Sequence, residues 1–252
     1  LTEGSHCSRC DAATVAQTAT DALGHAWDNG VVTKEPAATE KGVKTYTCTR
    51  CDATKTEEIP ETGEIKLPFT DVPEGKWYTD AVKFAYANNL FGGTSETTFT
   101  PDGNMTRGML VTVLWRLDGK PAPKGSNSFT DVKAGKYYTD AVTWAAENKV
   151  VGGVGNGKFN PDGNVTREQI AAIMFRYAAF KGYSTEKTAD LSKYPDSGSI
   201  SGWAKDALSW ANAEGLIGGT AQNGKTVLDP QGNATRAQVA AILMRYVQNI
   251  VK

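Results

Sequence analysis

Long apolar runs, histidine and an excess of either charge are all scarce in this chain of 252 residues. The longest apolar stretches, such as 170–175 and 239–244, fall far short of the ~18 residues that span a bilayer, so we expect no membrane span. Lys plus Arg number 27 and Asp plus Glu 28. This balance argues against a nucleic-acid-binding protein, which usually carries a basic excess. Because the chain begins at Leu1, we expect it to be a piece of a longer or processed protein.

What the chain does contain is an internal repeat. Residues 69–117 align without a gap on 129–177, and a third copy with small insertions follows. The elements Gly-Gly, Pro-Asp-Gly-Asn (Pro-Gln-Gly-Asn in the third copy) and Thr-Arg recur in the same order in every copy. Three units of one design are therefore expected. We divide the chain into an N-terminal module over 1–62 and repeats over 66–122, 126–184 and 190–252.

Each repeat is predicted to be a helix, a loop and a second helix. Apolar residues recur at helical spacing in both segments, and Gly-Gly is expected to end the first helix. Thr166 with Gln169, and Thr235 with Gln238, fit a capping box at the start of the second helix. Two helices cannot bury such faces alone, so the three copies should pack together around a pseudo-threefold axis. The predicted fold class is mainly α.

An arginine follows each capping threonine. A helix start carries partial positive charge, so a cation there costs roughly 0.3–1 kcal/mol at an exposed end. Because all three copies carry this unfavourable charge at the same position, we expect the charge to have a function. We predict that each guanidinium and the exposed amides of the helix start bind an anion. The alternative is that each arginine pairs with an acidic neighbour. The arginines are Arg107, Arg167 and Arg236, and the acidic candidates are Asp71, Asp131 and Asp196.

Two further sets of side chains recur. An aromatic residue precedes each first helix and is either a platform for the apolar face of a sugar or a core residue. A second arginine lies nine positions after the first, on the opposite side of the helix and near its end, where a cation suits the dipole. We interpret this second arginine as structural. The aromatic residues are Trp77, Tyr137 and Trp203, and the second arginines are Arg116, Arg176 and Arg245.

The repeats resemble the S-layer homology (SLH) domain family in the opening Phe-x-Asp-Val, the aromatic residue, the Gly-Gly, the Pro-Asp-Gly turn and the Thr-Arg element. The resemblance covers about 66–252. It implies non-covalent anchoring of a surface protein to the cell wall of a Gram-positive-type bacterium. The implied partner is a secondary cell-wall polysaccharide linked to peptidoglycan and commonly bearing pyruvylated N-acetylmannosamine, bound in grooves between repeats. We expect a monomer without cofactor in the repeats.

The resemblance also implies which residues contact the glycan. They are the motif arginine, the early aspartate, the aromatic residue and the second glycine of each copy. Carried over, these are Arg107, Arg167, Arg236, Asp71, Asp131, Asp196, Trp77, Tyr137, Trp203, Gly93, Gly153 and Gly219. This sequence departs from the family pattern at Gly108 and Met109 in the first copy and at Gln231 in the third. We therefore expect unequal grooves, one of them weak.

The N-terminal module carries two near-identical Cys-x-x-Cys elements. Cys7, Cys10, Cys48 and Cys51 suit a tetrahedral zinc site of the zinc-ribbon type, although the gap between the pairs is unusually long. Disulfides or redox chemistry are the alternatives. His6 and His25 are either spare ligands or ordinary histidines. Alternation from residue 44 predicts a small β-ribbon, and a weaker resemblance to Cys-x-x-Cys repeats of clostridial surface proteins implies a spacer.

Two other functions compete with anchoring. A polysaccharide-processing enzyme needs two facing carboxylates, and the repeated aspartates offer no distinct pair. A Ser/His/Asp triad is excluded because both histidines lie outside the repeats. Nucleic-acid binding through the Cys-x-x-Cys module would be salt-sensitive. We predict that the protein is not an enzyme.

Overall fold

A computed structural model describes residues 5–6, 8–10, 13–15, 24–34, 36, 40–61, 63 and 65–251. The chain forms two compact units, Leu1–Glu64 and Ile65–Lys252. The division between these units falls between the predicted N-terminal module and the first predicted repeat.

The described residues of the N-terminal unit form two small antiparallel sheets. Strand β1 (Ser5–His6) pairs with β2 (Ala13–Val15). Strands β3 (Val31–Lys34), β4 (Gly42–Thr47) and β5 (Thr54–Ile59) form the second sheet in that order. The predicted β-ribbon is confirmed by β4, which is the central strand of this sheet. Cysteine 7 lies outside the described residues.

The second unit contains six α-helices in three successive pairs. They are α1 (Thr79–Ala87), α2 (Arg107–Leu117), α3 (Thr139–Glu147), α4 (Arg167–Phe180), α5 (Lys205–Ala213) and α6 (Arg236–Tyr246). The third repeat adds 3-10 turns at Ser197–Ser199 and Gly202–Ala204, the hairpin β6 (Thr220–Gln222) and β7 (Lys225–Val227), and a π-helical turn at Val247–Val251. The predicted helix–loop–helix organisation of the repeats is confirmed.

The second helices begin as the sequence predicts. Thr166 and Thr235 each accept a hydrogen bond from the N–H three residues on, and the Gln side chain at that position completes the capping box. In the first repeat Thr106 accepts from the N–H of Met109 at 3.2 Å. Met109 has no group with which to return the bond, so this helix start keeps half of the box.

The prediction that Gly-Gly ends the first helix is wrong. The helices end several residues earlier, where Asn89, Lys149 and Gly215 adopt positive φ of 54°, 57° and 71°. The next residue then donates back to the last helical turn, as Leu90 N–H does to the Ala85 carbonyl at 2.9 Å. A left-handed residue followed by such a bond is the usual helix stop. The glycines lie beyond it, outside the helix.

Each second helix packs on the first helix of the following repeat, so α2 packs on α3, α4 on α5 and α6 on α1. A ring of three backbone hydrogen bonds closes the set. Met105 N–H donates to the Ala234 carbonyl at 2.9 Å, Ala234 N–H to Val165 at 3.1 Å, and Val165 N–H to Met105 at 2.9 Å. All three residues are fully buried within one apolar core. The three repeats therefore form one packed body, in which each copy contacts both others.

The third repeat accommodates its extra residues in the β6–β7 hairpin. The turn is Asn223-Gly224, with φ of 49° and 74°. Two successive left-handed residues make the turn that matches the twist of paired strands, and Asn-Gly is its commonest sequence. The Asn-Gly dipeptide is therefore a local signal for this hairpin, which the sequence analysis registered only as part of a small insertion.

Candidate functional site: three arginine-lined hollows

The amides at the starts of the second helices are not available to a ligand. Arg107 N–H donates to the Gly163 carbonyl at 2.9 Å, and Gly108 N–H donates to Pro161 at 2.8 Å. Thr106 takes the third amide. The other two second helices have the same arrangement with their own neighbours. The predicted anion site on exposed amides is therefore wrong, because the turn of an adjacent repeat already satisfies them.

The arginine side chains cross from one repeat to another. Arg107 Nε donates to the Phe159 carbonyl at 2.8 Å and Nη2 to the Gly152 carbonyl at 3.1 Å. Arg167 makes the same pair of bonds to Leu228 and Gly218 at 2.7 and 2.6 Å. Each arginine thus fixes the Gly-Gly segment and the turn of the following repeat.

Arg236 closes the series by returning to the first repeat. It donates from Nε to the Phe99 carbonyl and from Nη2 to the Gly92 carbonyl, both at 2.8 Å. Its guanidinium also lies 4.6 Å from the centroid of the Phe99 ring, within the range of a cation–π interaction. All three arginines are only 6 % exposed. They are part of the packing between repeats as well as candidate ligand contacts.

The repeated aspartates accept hydrogen bonds from backbone amides of the turns and do not pair with the arginines. The carboxylate of Asp71 accepts the N–H groups of Phe99 and Thr100 at 2.8 and 2.7 Å. Asp131 and Asp196 accept the two equivalent amides of their own repeats. One of the two amides belongs to a residue with positive φ, such as Thr100 at 57°. The aspartate therefore stabilises the turn whose carbonyl receives the arginine Nε.

In the part of the chain that the structure describes, no ion pair joins these aspartates to the arginines. The alternative of direct acidic pairing is therefore wrong for the three motif arginines. Burial lowers the pKa of Arg107; the charge of Asp131 opposes this shift and the charge of Arg176 adds to it. Arginine remains protonated at neutral pH, so a buried positive charge lies here without direct contact to a described carboxylate.

A hollow lies beside each motif arginine, and all three repeats contribute to it. One repeat supplies the arginine, the next supplies Gly-Gly and the second arginine, and the remaining one supplies the exposed aromatic ring. The Arg107 hollow contains Gly152, Gly153, Gln169, Arg176 and Trp203. The Arg167 hollow contains Gly218, Gly219, Gln238, Arg245 and Trp77. The Arg236 hollow contains Gly92, Gly93, Met109, Arg116 and Tyr137.

Every hollow is thus lined by two arginines and by no carboxylate among the described residues. Arg176 is exposed and makes no hydrogen bond to a described residue, whereas Arg116 and Arg245 each donate one bond to a loop carbonyl. The sequence alone predicts only a structural role for these second arginines. Each lies in the hollow of a different repeat's motif arginine, and no local sequence pattern reports this pairing.

Some N–H groups of the motif guanidinium groups lack a strong hydrogen bond. Nη1 of Arg107 contacts Gln169 Oε1 at 3.3 Å. Nη1 of Arg167 and of Arg236 has no acceptor among the described residues, yet neither atom is sealed from solvent. Since two of the five N–H groups hold the neighbouring repeat, the remaining donors can bind an anionic group.

The predicted residues divide into two groups. The arginines, the aromatic residues and the second glycines all line the hollows, whereas Asp71, Asp131 and Asp196 are not among the lining residues. Trp77, Tyr137 and Trp203 are 64 %, 56 % and 56 % exposed. They are therefore not core residues. Ligand contacts by any of these residues stay a prediction.

Comparison with known proteins identifies the repeats. The S-layer homology domain matches residues 68–108, 128–171 and 193–240, which together make up more than half of the chain. The chain belongs to the S-layer homology domain family. The resemblance predicted from the sequence is confirmed.

Several relatives match the SLH region. An endoglucanase of Bacillus sp. (strain KSM-635) is 34% identical over 177 residues, which cover 70% of this chain and 18% of the relative. The surface-layer 125 kDa protein of Lysinibacillus sphaericus is 30% identical over 171 residues, covering 68% and 14%. The cellulosome-anchoring protein of Acetivibrio thermocellus is 26% identical over 155 residues, covering 60% and 33%. The chain spans a third or less of the length of these relatives.

The family places the chain at the bacterial cell surface, as its surface-layer relatives indicate. SLH repeats are anchoring modules and not catalytic ones, and the enzyme-named relatives match over a minor part of their length. Among the described residues, no helix has the length and apolar character needed to cross a bilayer.

The two glycines of each SLH pair have different surroundings. A Cβ on Gly93 would lie 2.2 Å from the Ser95 carbonyl oxygen and 2.5 Å from that of Thr98. A Cβ on Gly92 would meet nothing within 4 Å. Gly93 is thus required by the fold, whereas Gly92 leaves open space and offers its carbonyl to Arg236. The second and third repeats show the same contrast.

The three SLH hollows differ in size and lining. The Arg107, Arg167 and Arg236 hollows measure about 440, 300 and 190 Å³. Met109 lies in the smallest, where the other two have a glutamine. We expected Met109 to make one hollow weaker than the others. That hollow is the one at Arg236, the arginine of the third repeat, although Met109 belongs to the same repeat as Arg107. The chain order of the repeats does not reveal this assignment.

The N-terminal unit holds a separate cluster. Ligand atoms of His25, Cys48 and Cys51 all lie within 4.8 Å of one another and could hold a metal ion. Cys10 is exposed and is not part of this group. A hydrogen bond from the N–H of Arg50 at 3.4 Å lowers the pKa of the Cys48 thiol to about 6; burial opposes the shift, and His25 adds to it.

Proposed function

We propose that the three hollows bind an acidic secondary cell-wall polysaccharide and thereby anchor the protein to the wall without covalent attachment. The observation that carries the proposal is the lining: two arginines, an exposed aromatic ring and no carboxylate in each hollow. Such a lining favours a ligand that combines a negative charge with a flat apolar surface.

A pyruvylated sugar has both features. Pyruvate carried as a ketal on N-acetylmannosamine presents a carboxylate, which suits the free donors of the guanidinium groups. The apolar face of the sugar ring suits Trp203, Trp77 or Tyr137. Each charge-assisted hydrogen bond would contribute about 1.5–3 kcal/mol. This is the reason to prefer an acidic glycan to a neutral one.

We further propose that the SLH region is a mainly α body with the three repeats about a pseudo-threefold axis. The ring of bonds through Met105, Val165 and Ala234, and the rotation of lining roles among the repeats, support this layout. Three sites in one monomer would engage neighbouring sugars of one polymer, so weak individual sites would add up to firm attachment.

We infer that the chain has no catalytic role of its own. The alternative, a polysaccharide-processing enzyme, needs a general acid and a second carboxylate facing one another in a cleft. The hollows contain no such pair among the described residues. Release of new reducing ends from wall polymer by the purified chain would favour the alternative.

The proposal is tested by sedimentation of the purified protein with cell walls. Intact walls should retain the protein, and walls stripped of their secondary polymer should not. Equal retention by both preparations would contradict the proposal.

Two variants direct this test at the hollows. Trp203→Ala and Arg176→Ala remove exposed side chains of the Arg107 hollow, and neither should lower stability by more than about 0.5 kcal/mol. Both should weaken wall binding by about 1 kcal/mol or more. Lys133→Ala is the matched control, since it removes an exposed cation that lines none of the hollows. An equal loss of wall binding in Lys133→Ala would show that the effect comes from general surface charge.

A further inference from the structure

The N-terminal unit brings together a histidine and two cysteines that the sequence separates by more than twenty positions. Cys51 Sγ lies 3.4 Å from His25 Nδ1, and Cys48 completes the group within 4.8 Å. Tetrahedral zinc with Zn–S of about 2.3 Å and Zn–N of about 2.05 Å requires S···N separations near 3.6 Å and S···S separations near 3.8 Å. The Cys51–His25 separation is close to the first value, and the other separations in the group stay within 4.8 Å.

The backbone fixes the group on both sides. Trp27 forms an isolated β-bridge with Cys48, and Thr49 N–H donates to the Ala26 carbonyl at 2.7 Å. The stretch that carries His25 is thereby held against the Cys-x-x-Cys turn. The His25 ring also lies against the Trp27 ring, with 4.9 Å between centroids. These contacts restrict the imidazole to the side of the two thiols.

The turn supplies the outer contacts that a thiolate site needs. Arg50 N–H points at Cys48 Sγ from 3.4 Å, and Cys48 N–H donates to the Ala53 carbonyl at 2.8 Å. Hydrogen bonds to ligating sulfur orient the ligand and stabilise its charge. Cys48 and Cys51 are both free thiols, so neither is consumed in a disulfide.

We propose that His25, Cys48 and Cys51 bind a zinc-class divalent metal ion as a structural site of the N-terminal unit. One imidazole and two thiolates select zinc over magnesium or calcium, which prefer oxygen ligands. Three protein ligands leave one tetrahedral position for water or another donor. The site differs from the four-cysteine arrangement predicted from the sequence, because it includes His25 and because Cys10 lies outside the group. It does not depend on the glycan-binding proposal.

The test measures metal binding by the full chain after reduction and removal of metal. Zinc content is measured by mass spectrometry, and cobalt substitution reports thiolate and tetrahedral coordination by absorption. We expect one metal ion per chain. Cys48→Ser and Cys51→Ser should abolish binding, and His25→Ala should weaken it by at least about tenfold.

One control separates this site from the four-cysteine alternative. Cys10→Ser removes an exposed thiol that lies outside the group and should leave the affinity unchanged. Loss of zinc from Cys10→Ser, or full zinc affinity in His25→Ala, would overturn the proposal. A reduced chain that takes up no metal would overturn it as well. Wall sedimentation of the same variants should be unaffected, so the result is independent of anchoring.

Discussion

The Arg107 and Arg236 hollows have the same frame but different linings. In both, the motif arginine donates from Nε to a turn carbonyl and from Nη2 to a glycine carbonyl of another repeat. The first hollow has Gln169 and Trp203 and measures about 440 Å³, whereas the second has Met109 and Tyr137 and measures about 190 Å³. The repeated residues thus preserve the packing between repeats, while we infer that the lining residues set the capacity for a ligand.

The largest effect is expected from the shared frame. Arg107→Ala and Arg236→Ala each remove a buried cation that donates two hydrogen bonds, and each leaves two carbonyl groups unpaired. Either change should lower the free energy of unfolding by about 3–5 kcal/mol. The two losses should be similar, because both arginines donate from Nε and Nη2 to the equivalent carbonyl groups. Urea denaturation measures this. A variant that keeps full stability would contradict the cross-repeat role of its arginine.

Substitutions of the two glycines in the Arg236 hollow should have smaller effects on stability, and the two effects should differ. Gly93→Ala forces a Cβ against two carbonyl oxygens and should destabilise the protein by about 1–3 kcal/mol. Gly92→Ala, the matched control, should change stability by less than about 0.5 kcal/mol, but it narrows the Arg236 hollow. Thermal denaturation checks the contrast, and equal costs at both positions would refute it.

The hydrogen bonds that Asp131 accepts should make the free energy of unfolding depend on pH. Burial opposes ionisation of Asp131, but the N–H groups of Phe159 and Asn160 outweigh it, so the pKa of this carboxyl lies below its usual value. A lowered folded pKa contributes stability above the unfolded pKa near 3.9, and this stability is lost as pH falls through the folded pKa. Asp131→Asn should cost about 1 kcal/mol at neutral pH, since solvent screens the half-exposed carboxylate.

Denaturation of the wild type and of Asp131→Asn between about pH 7 and about pH 2.5 measures this contribution. The difference between the two proteins should shrink toward acid pH. A constant difference over the range would show that the carboxylate charge has no part in holding the turn.

The smallest effect should come from making the weaker hollow resemble the larger one. Met109→Gln restores the second half of the capping box, as in Thr166 with Gln169, and should add about 0.5 kcal/mol of stability. It also places an amide beside Arg236, in the position of the Gln169 contact to Arg107. Wall affinity should rise slightly. A fall in stability would indicate that the smaller hollow cannot accept the longer polar side chain.

Much of the frame could be predicted from the sequence. The three copies, the helix pairs, the capping boxes and the half-box at Met109 follow from local spacing and are all present. The helix ends were predicted wrongly, because the left-handed stops are Asn89, Lys149 and Gly215 rather than the Gly-Gly pairs. Asn89 and Gly215 are residue types that favour such a stop, whereas Lys149 gives no local signal of it.

The site was less predictable, because it depends on which repeats meet. Sequence spacing identified Arg107 and Trp203 separately, but only the fold places them with Arg176 in one hollow. The helix-start amides looked available because their partners belong to the turn of another repeat. In the N-terminal unit, His25 lies close to Cys51 through strand pairing, which ligand spacing along the chain does not report.

Glycan binding in the hollows is tested most directly by titrating the isotope-labelled protein with released, pyruvylated wall polysaccharide and recording NMR spectra. We expect shifts of the Trp77 and Trp203 indole signals, the Tyr137 ring signals and the Nε–H signals of the three motif arginines. We also expect these shifts to disappear when the pyruvate ketal is removed from the same polymer by mild acid. Equal binding of the ketal-free polymer, or shifts confined to residues outside the three hollows, would contradict the claim that paired arginines hold an acidic glycan there.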